Sequence, residues 1–317
     1  MTATRRRFLL DTTLGAAALA VGCQSESLPA FLRRSARTVT QILPGLSTMD
    51  GAGVHLTRLI GQPALDVLDP FVLLDRMHSD VPGDYVAGFP DHPHRGFETV
   101  TVMLEGQMRH HDSRGNHGLI TGGGAQWMTA GRGLVHSEMP EQQQGWLSGF
   151  QLWINLPAKE KMCQREYQDL APEKLAEGRL SSAGSLLRVI AGETDGLVGP
   201  VHPRATEPLL LTATLEDDRP LEIDTPNDHA AFVFVHTDAV EIGPENKATT
   251  VAEGSLALLT PGRRLRLRAT GQRAGVLVAA ARPLREPIVR RGPFVMNTEA
   301  EIGRAFADYR SGLLARE

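Results

Sequence analysis

From about Arg37 onward, apolar residues come in short runs separated by Gly, Pro, Asp and Asn. In the first half the runs cover residues 54–60, 71–74, 99–104, 126–128 and 146–156. In the second half they cover 186–191, 209–215, 230–235, 256–259, 265–268 and 275–280. Thr99-Val100-Thr101-Val102-Met103 alternates polar and apolar side chains, the period of a half-buried strand. Many short strands with regular turn signals predict an all-β barrel or sandwich. The two β halves are similar in size, which suggests a duplication. Between them, residues 159–185 are more polar and contain Pro172 with several Gly and Ser. This stretch reads as an interdomain connection with some helix. Near the end, Thr298-x-x-Glu301 forms a capping box, followed by Ile302, Phe306 and Tyr309 on one face and Gly312 as a stop. A helix is predicted from about 299 to 311.

Composition narrows the function classes. The 317 residues allow about two domains, and 41% apolar with 22% charged residues is ordinary for a soluble globular chain. A net charge of −4 gives no basic excess for nucleic acid, and 5% aromatics leave few stacking platforms. No nucleic-acid partner is expected. Two cysteines, Cys23 and Cys163, exclude a disulfide scaffold and a CxxC zinc site.

The N-terminus stands apart. Arg5-Arg6-Arg7 precede Phe8-Leu9-Leu10, and a small, weakly apolar run follows from Leu14 to Gly22. The run is too short to span a bilayer and has the layout of a signal peptide. Its start resembles a twin-arginine export signal. Ala20-Val21-Gly22-Cys23 resembles a lipoprotein cleavage box, with Ala20 where Leu is commoner. The expectation is a signal peptide over 1–22, a linker over 23–39, and a periplasmic or envelope-anchored mature protein. Acylated Cys23 would then be its one membrane contact. A monomer is expected.

Two segments carry candidate chemistry. Asp91-His92-Pro93-His94 and His136-Ser137-Glu138 each hold two metal-competent side chains at i and i+2. On a strand those positions share a face. His92 with His94, and His136 with Glu138, therefore present two ligand pairs into a barrel interior. Three nitrogens and one oxygen suit Fe(II), Mn, Ni, Cu or Zn, without the thiolate of a structural zinc site. Pro93 donates no backbone hydrogen bond, so its strand should be irregular or lie at an edge. Glu98 is read as an acceptor orienting a ligand histidine from outside the coordination sphere. His110, His111 and His117 lie in a Gly-rich polar hairpin and are read as solvent-exposed.

At these residues the chain resembles the pirin family of bicupins. The matching text includes DHPHRGFETVT over 91–101, QWMTAGRGLVHSEM over 126–139, QLWINLPAKEK over 151–161 and GPFVMNT over 292–298. It extends from about residue 40 to 312. The resemblance implies two tandem cupin (jelly-roll-like) β-barrel lobes with a C-terminal helix. An N-terminal metal-binding lobe would cover 40–170, a connection 171–185 and a C-terminal lobe 186–317. It also implies iron, Fe(II)/Fe(III), held by His92, His94, His136 and Glu138. The implied activity is that of a quercetin 2,3-dioxygenase on a small aromatic chelating substrate, with Glu138 as a candidate general base. The alternative is a redox-responsive metal-binding regulator without turnover. Two departures matter. The C-terminal lobe has no His-x-His or His-x-Glu pair in its strand over 230–240, so an apolar core is expected there. Arg290-Arg291 also replaces an aromatic pair common before GPFVMNT, so contacts near the lobe interface are expected to differ.

Overall fold

The structure, a computed structural model, describes residues 35–180, 184–201, 204–216 and 219–316. The export and lipidation expectations, Cys23 included, fall outside the described residues.

Each lobe pairs a seven-stranded antiparallel sheet with a four-stranded one. In the N-terminal lobe the large sheet runs Glu166–Leu170, Ala125–Thr129, Phe97–Glu105, Leu147–Asn155, Phe71–Ser79, Val54–Ile60, Leu46–Asp50. Its small sheet runs Phe89–His94, Leu134–Pro140, Gln107–Asp112, His117–Thr121. The C-terminal lobe repeats this order. Its large sheet runs Val39–Pro44, Ser255–Leu259, Ala230–Thr237, Arg273–Ala281, Leu209–Glu216, Ser185–Ala191, Ala176–Leu180. Its small sheet runs Leu221–Asp224, Arg264–Ala269, Val240–Ile242, Thr249–Val251.

Strand alternation explains how the sheets stack. Along Phe97–Glu105, Val100 and Val102 join a buried layer with Trp127, Phe150 and Leu152 of the same lobe and Phe232, Phe234 and Leu277 of the other. Phe71 meets Phe232 edge-on at 5.1 Å, and Phe150 meets Phe234 at 5.6 Å. The two large sheets thus pack face to face, and the alternate residues Thr99, Thr101 and Met103 turn into the N-terminal barrel.

Two features differ from the expectations. Among the described residues, 159–180 hold short 3-10 turns and two strands, Glu166–Leu170 and Ala176–Leu180, which close an edge of each large sheet. The lobe boundaries also shift, because each terminus crosses to the opposite lobe. Val39–Pro44 pairs with Ser255–Leu259 of the C-terminal lobe. At the other end, Phe294, Met296, Ile302 and Leu314 pack together against Val135 of the N-terminal lobe. A 2.7 Å ion pair between Arg95 and Asp308 and a hydrogen bond from Val295 N–H to the Arg95 carbonyl fix that strap. The helix itself, Glu299–Arg310, has the predicted reciprocal cap between Thr298 and Glu301.

Candidate metal centre

The strand Phe89–His94 pairs only with Leu134–Pro140 and forms the edge of its sheet, as the proline requires. The register sets His136 opposite His92 and Leu134 opposite His94, with an irregularity between His136 and Glu138. His92, His94 and His136 consequently converge. Each offers a ring nitrogen, and these atoms lie within 4.8 Å of one another. After His94 the chain turns through Gly96 at φ 89°, where any Cβ would collide with the Val295 carbonyl.

Hydrogen bonds orient the rings. His92 Nδ1 lies 2.8 Å from the Pro90 carbonyl, and His94 Nδ1 lies 3.3 Å from the Pro293 carbonyl. A carbonyl only accepts, so each Nδ1 carries the proton and each Nε2 keeps a lone pair facing inward. His136 Nε2 is buried with no hydrogen-bond partner. Burial, then the neighbouring rings, push His94 and His136 well below the ordinary imidazole range. These are neutral imidazoles, the form that binds metal. An orphaned buried nitrogen beside two inward lone pairs fits a divalent metal ion.

Glu138 is buried on the same wall but lies outside the tight cluster. Its carboxylate accepts from Thr101 Oγ1 at 2.7 Å and from Gln151 Nε2 at 2.6 Å. The structure thus gathers three of the four predicted ligands and holds the fourth beside them. A cavity of about 620 Å³ opens from His92, His94 and Glu138 past Trp153, Met77, Leu73 and Phe89. Its polar wall holds Arg58, bonded to Asp75 at 2.9 and 2.7 Å, and Arg290, which donates to Asp66 and the Val72 carbonyl. The arginine that replaces an aromatic residue therefore lines this cavity.

Two expectations are corrected. Glu98 orients no ligand histidine. It points to the opposite face of its strand, accepts from Trp127 Nε1 at 3.1 Å and Thr129 Oγ1 at 2.7 Å, and lies 3.4 Å from Arg204. The interval of four residues from His94 crosses a glycine turn, so parity along one strand does not carry over. His110 is buried, whereas His111 and His117 are exposed and stack on each other at 4.7 Å. The signal for His110 was present in the chain. Met108, His110 and Asp112 alternate with exposed residues along Gln107–Asp112, so all three face inward.

Residues 53–154 match the family profile Pirin, and residues 210–315 match the Pirin C-terminal cupin domain. The chain belongs to the pirin family. It is 46% identical over 284 residues to a Pseudomonas aeruginosa pirin relative named "Putative quercetin 2,3-dioxygenase", covering 88% of this chain and 98% of that one. A pirin-like protein of Caulobacter vibrioides is 44% identical, covering 87% and 98%. Among solved structures, a quercetin 2,3-dioxygenase from Acinetobacter baumannii superposes with a TM-score of 0.81 at 32% identity, covering 88% of this chain and 99% of that one.

Proposed function

We propose that this pirin is an iron-dependent oxygenase of the quercetin 2,3-dioxygenase type, acting on a chelating flavonol or catechol-like substrate. One observation carries the reading. Three converging histidines stand beside a buried carboxylate at the end of a cavity large enough for a small aromatic molecule. The names of the 46% identical relative and of the 32% identical solved structure support it.

His92, His94 and His136 would hold the metal through Nε2. Iron bound there supplies Lewis acidity and a redox couple suited to O₂ chemistry. Leu73, Met77, Phe89 and Trp153 take the flat rings of the substrate and exclude water. Glu138 receives the proton of a substrate hydroxyl at a carboxylate oxygen, with Thr101 and Gln151 holding that group in place. The test is O₂ uptake by purified, iron-loaded protein with a flavonol panel, alongside elemental analysis for Fe, Mn, Ni, Cu and Zn. Uptake with a flavonol that disappears in His92→Ala supports the reading. Uptake that survives His92→Ala removes it.

Export by a twin-arginine route belongs to the same proposal, and it rests on Arg5-Arg6-Arg7 and the apolar run behind them. Replacing the three arginines by lysine should leave full-length precursor in the cytoplasm. Processed protein in the envelope fraction of that variant would refute the route.

A further inference from the structure

We propose that Asp112 and His110 form a buried relay of hydrogen bonds that fixes the tautomer of His136, making both positioning residues for the metal centre. The inference rests on the metal reading of the three-histidine cluster, but not on the oxygenase reading.

The relay starts from an acceptor. Asp112 Oδ1 takes the backbone N–H of Arg114 at 2.8 Å and that of Asn116 at 3.1 Å. Its Oδ2 takes Asn116 Nδ2 at 2.8 Å and faces His110 Nε2 at 3.5 Å. Both carboxyl oxygens thus already accept N–H groups, the pattern of an ionised carboxylate. An ionised carboxylate has no proton to give. Facing that acceptor, His110 presents its Nε2–H, and its Nδ1, which faces the side-chain NH₂ of Gln126, is the nitrogen with the lone pair.

That lone pair meets two nitrogens. Gln126 Nε2 lies 3.1 Å away and donates to it. His136 Nδ1 lies 3.5 Å away. A lone pair facing another lone pair is repulsive, so His136 Nδ1 must be the N–H. The remaining nitrogen of His136, Nε2, then has its lone pair free, and it is the buried atom without a partner beside His92 and His94. One carboxylate thus sets two imidazoles in sequence. Packing holds the middle ring: His110 is fully buried and stacks on Tyr167 at 4.8 Å with 28° between the planes. His92 and His94 obtain the same orientation from single carbonyls. Only His136, on an inner strand of its sheet, relies on a side-chain relay.

The experiment is long-range proton–nitrogen NMR of the metal-free chain labelled with ¹⁵N-histidine. The expected pattern is His136 protonated on Nδ1 and His110 on Nε2. Asp112→Asn substitutes an amide that can donate to His110 and so releases the constraint. In that variant His136 should become a mixture of tautomers, and Ni(II) affinity by chelator competition should fall about 10–100-fold. His110→Gln keeps an acceptor oxygen and should retain more affinity than His110→Leu. His111→Ala, on the outer face of the same strand, should change neither readout. A merely structural role would lower the melting temperature of these variants and leave the nitrogen pattern unchanged. The proposal is overturned if metal-free native protein shows His136 protonated on Nε2, or if folded Asp112→Asn binds Ni(II) as the native chain does. The native spectrum decides the question even if Asp112→Asn fails to fold. Absent O₂ uptake would sink the oxygenase and leave this relay standing.

Discussion

The two barrels share one strand order and differ in what fills them. The strand Phe89–His94 occupies the place of Leu221–Asp224, and Leu134–Pro140 that of Arg264–Ala269. Where the first lobe sets His92 against His136, the second sets Ile223 against Leu265 and Leu221 against Leu267. On the large sheets, Thr99 and Thr101 stand where the second lobe has Val233 and Val235 in an interior made of Leu, Val, Ile and Ala. Each buried leucine there contributes about 2 kcal/mol of transfer free energy. The first lobe instead buries His94, His110, His136, Glu138 and Asp112, each of which costs desolvation unless partnered. The difference teaches a division of labour. One barrel has an apolar interior throughout, and the other combines a smaller apolar cluster of Val54, Met77, Tyr85, Met103, Met108, Ile120 and Leu147 with buried polar groups and with support from outside, the shared layer between the large sheets and the strap from the opposite lobe. That strap also supplies the Pro293 carbonyl that orients His94.

The largest expected effect comes from importing the polar interior into the apolar lobe. Leu265→Asp would bury a charge among side chains with no donor to meet it. A loss of at least about 4 kcal/mol is expected, enough to unfold the chain. The equivalent change in the other direction, His136→Leu, removes an unpartnered nitrogen and should alter metal-free stability by about 1 kcal/mol or less. Urea unfolding of both variants measures the contrast. Similar losses in the two lobes would break it.

The sequence pattern made one side of this comparison legible and obscured the other. Ligand spacing at i and i+2 placed His92, His94, His136 and Glu138 on one wall, because strand parity is a local property. The short apolar runs likewise marked most strands of both large sheets. Glu98 was misplaced because Gly96 breaks the parity counted from His94. The period of two that buries His110 holds only from Met108 to Asp112, and the polar residues around it mask that signal. The exchange of termini between lobes left no local signal. It is decided by pairing between Val39–Pro44 and a strand more than two hundred residues away.

The next effect sharpens the comparison through pH. His94 and His136 titrate well below their ordinary 6.5 in the folded chain, first because burial penalises the charged ring and then because neighbouring imidazoles repel it. Below pH 6.5 the unfolded chain binds protons that the native state refuses, so stability must fall as pH drops. Above 6.5 both states are neutral and these groups contribute no slope. Two such groups should cost up to about 4 kcal/mol between pH 7 and pH 5 in metal-free protein. The apolar interior of the C-terminal lobe contributes nothing to this loss, although burial also holds His229 at the end of that lobe, His78, and His236 (lowered to about 4) below the ordinary range, and these add to it. Thermal unfolding across this range should show the loss, and a His94→Leu/His136→Leu variant should show much less of it. An unchanged slope in that variant would remove the assignment.

The smallest effect tests how the polar barrel is held from outside. Lys161 is buried, and its ammonium donates to the Gly96 carbonyl at 2.8 Å, Asn155 Oδ1 at 2.6 Å and the Val295 carbonyl at 2.9 Å. Among the described residues no carboxylate pairs with it. Burial lowers it to about 7, against smaller raising effects from Glu286 and Glu301. Its three acceptors lie on the turn after His94, on the central strand and on the strap, so one side chain ties all three. Lys161→Met keeps the stem and removes the donors, leaving those oxygens unmet. A loss of about 2 kcal/mol is expected by urea unfolding. Because Val295 lies two residues beyond Pro293, the same variant should also loosen the acceptor of His94 and weaken Ni(II) binding by about tenfold. The equivalent loss of affinity is not expected from a C-terminal-lobe change of similar stability cost, such as Val233→Ala. If Lys161→Met and Val233→Ala weaken metal binding equally, the strap holds the barrel only through global stability and not through its contacts at the histidines.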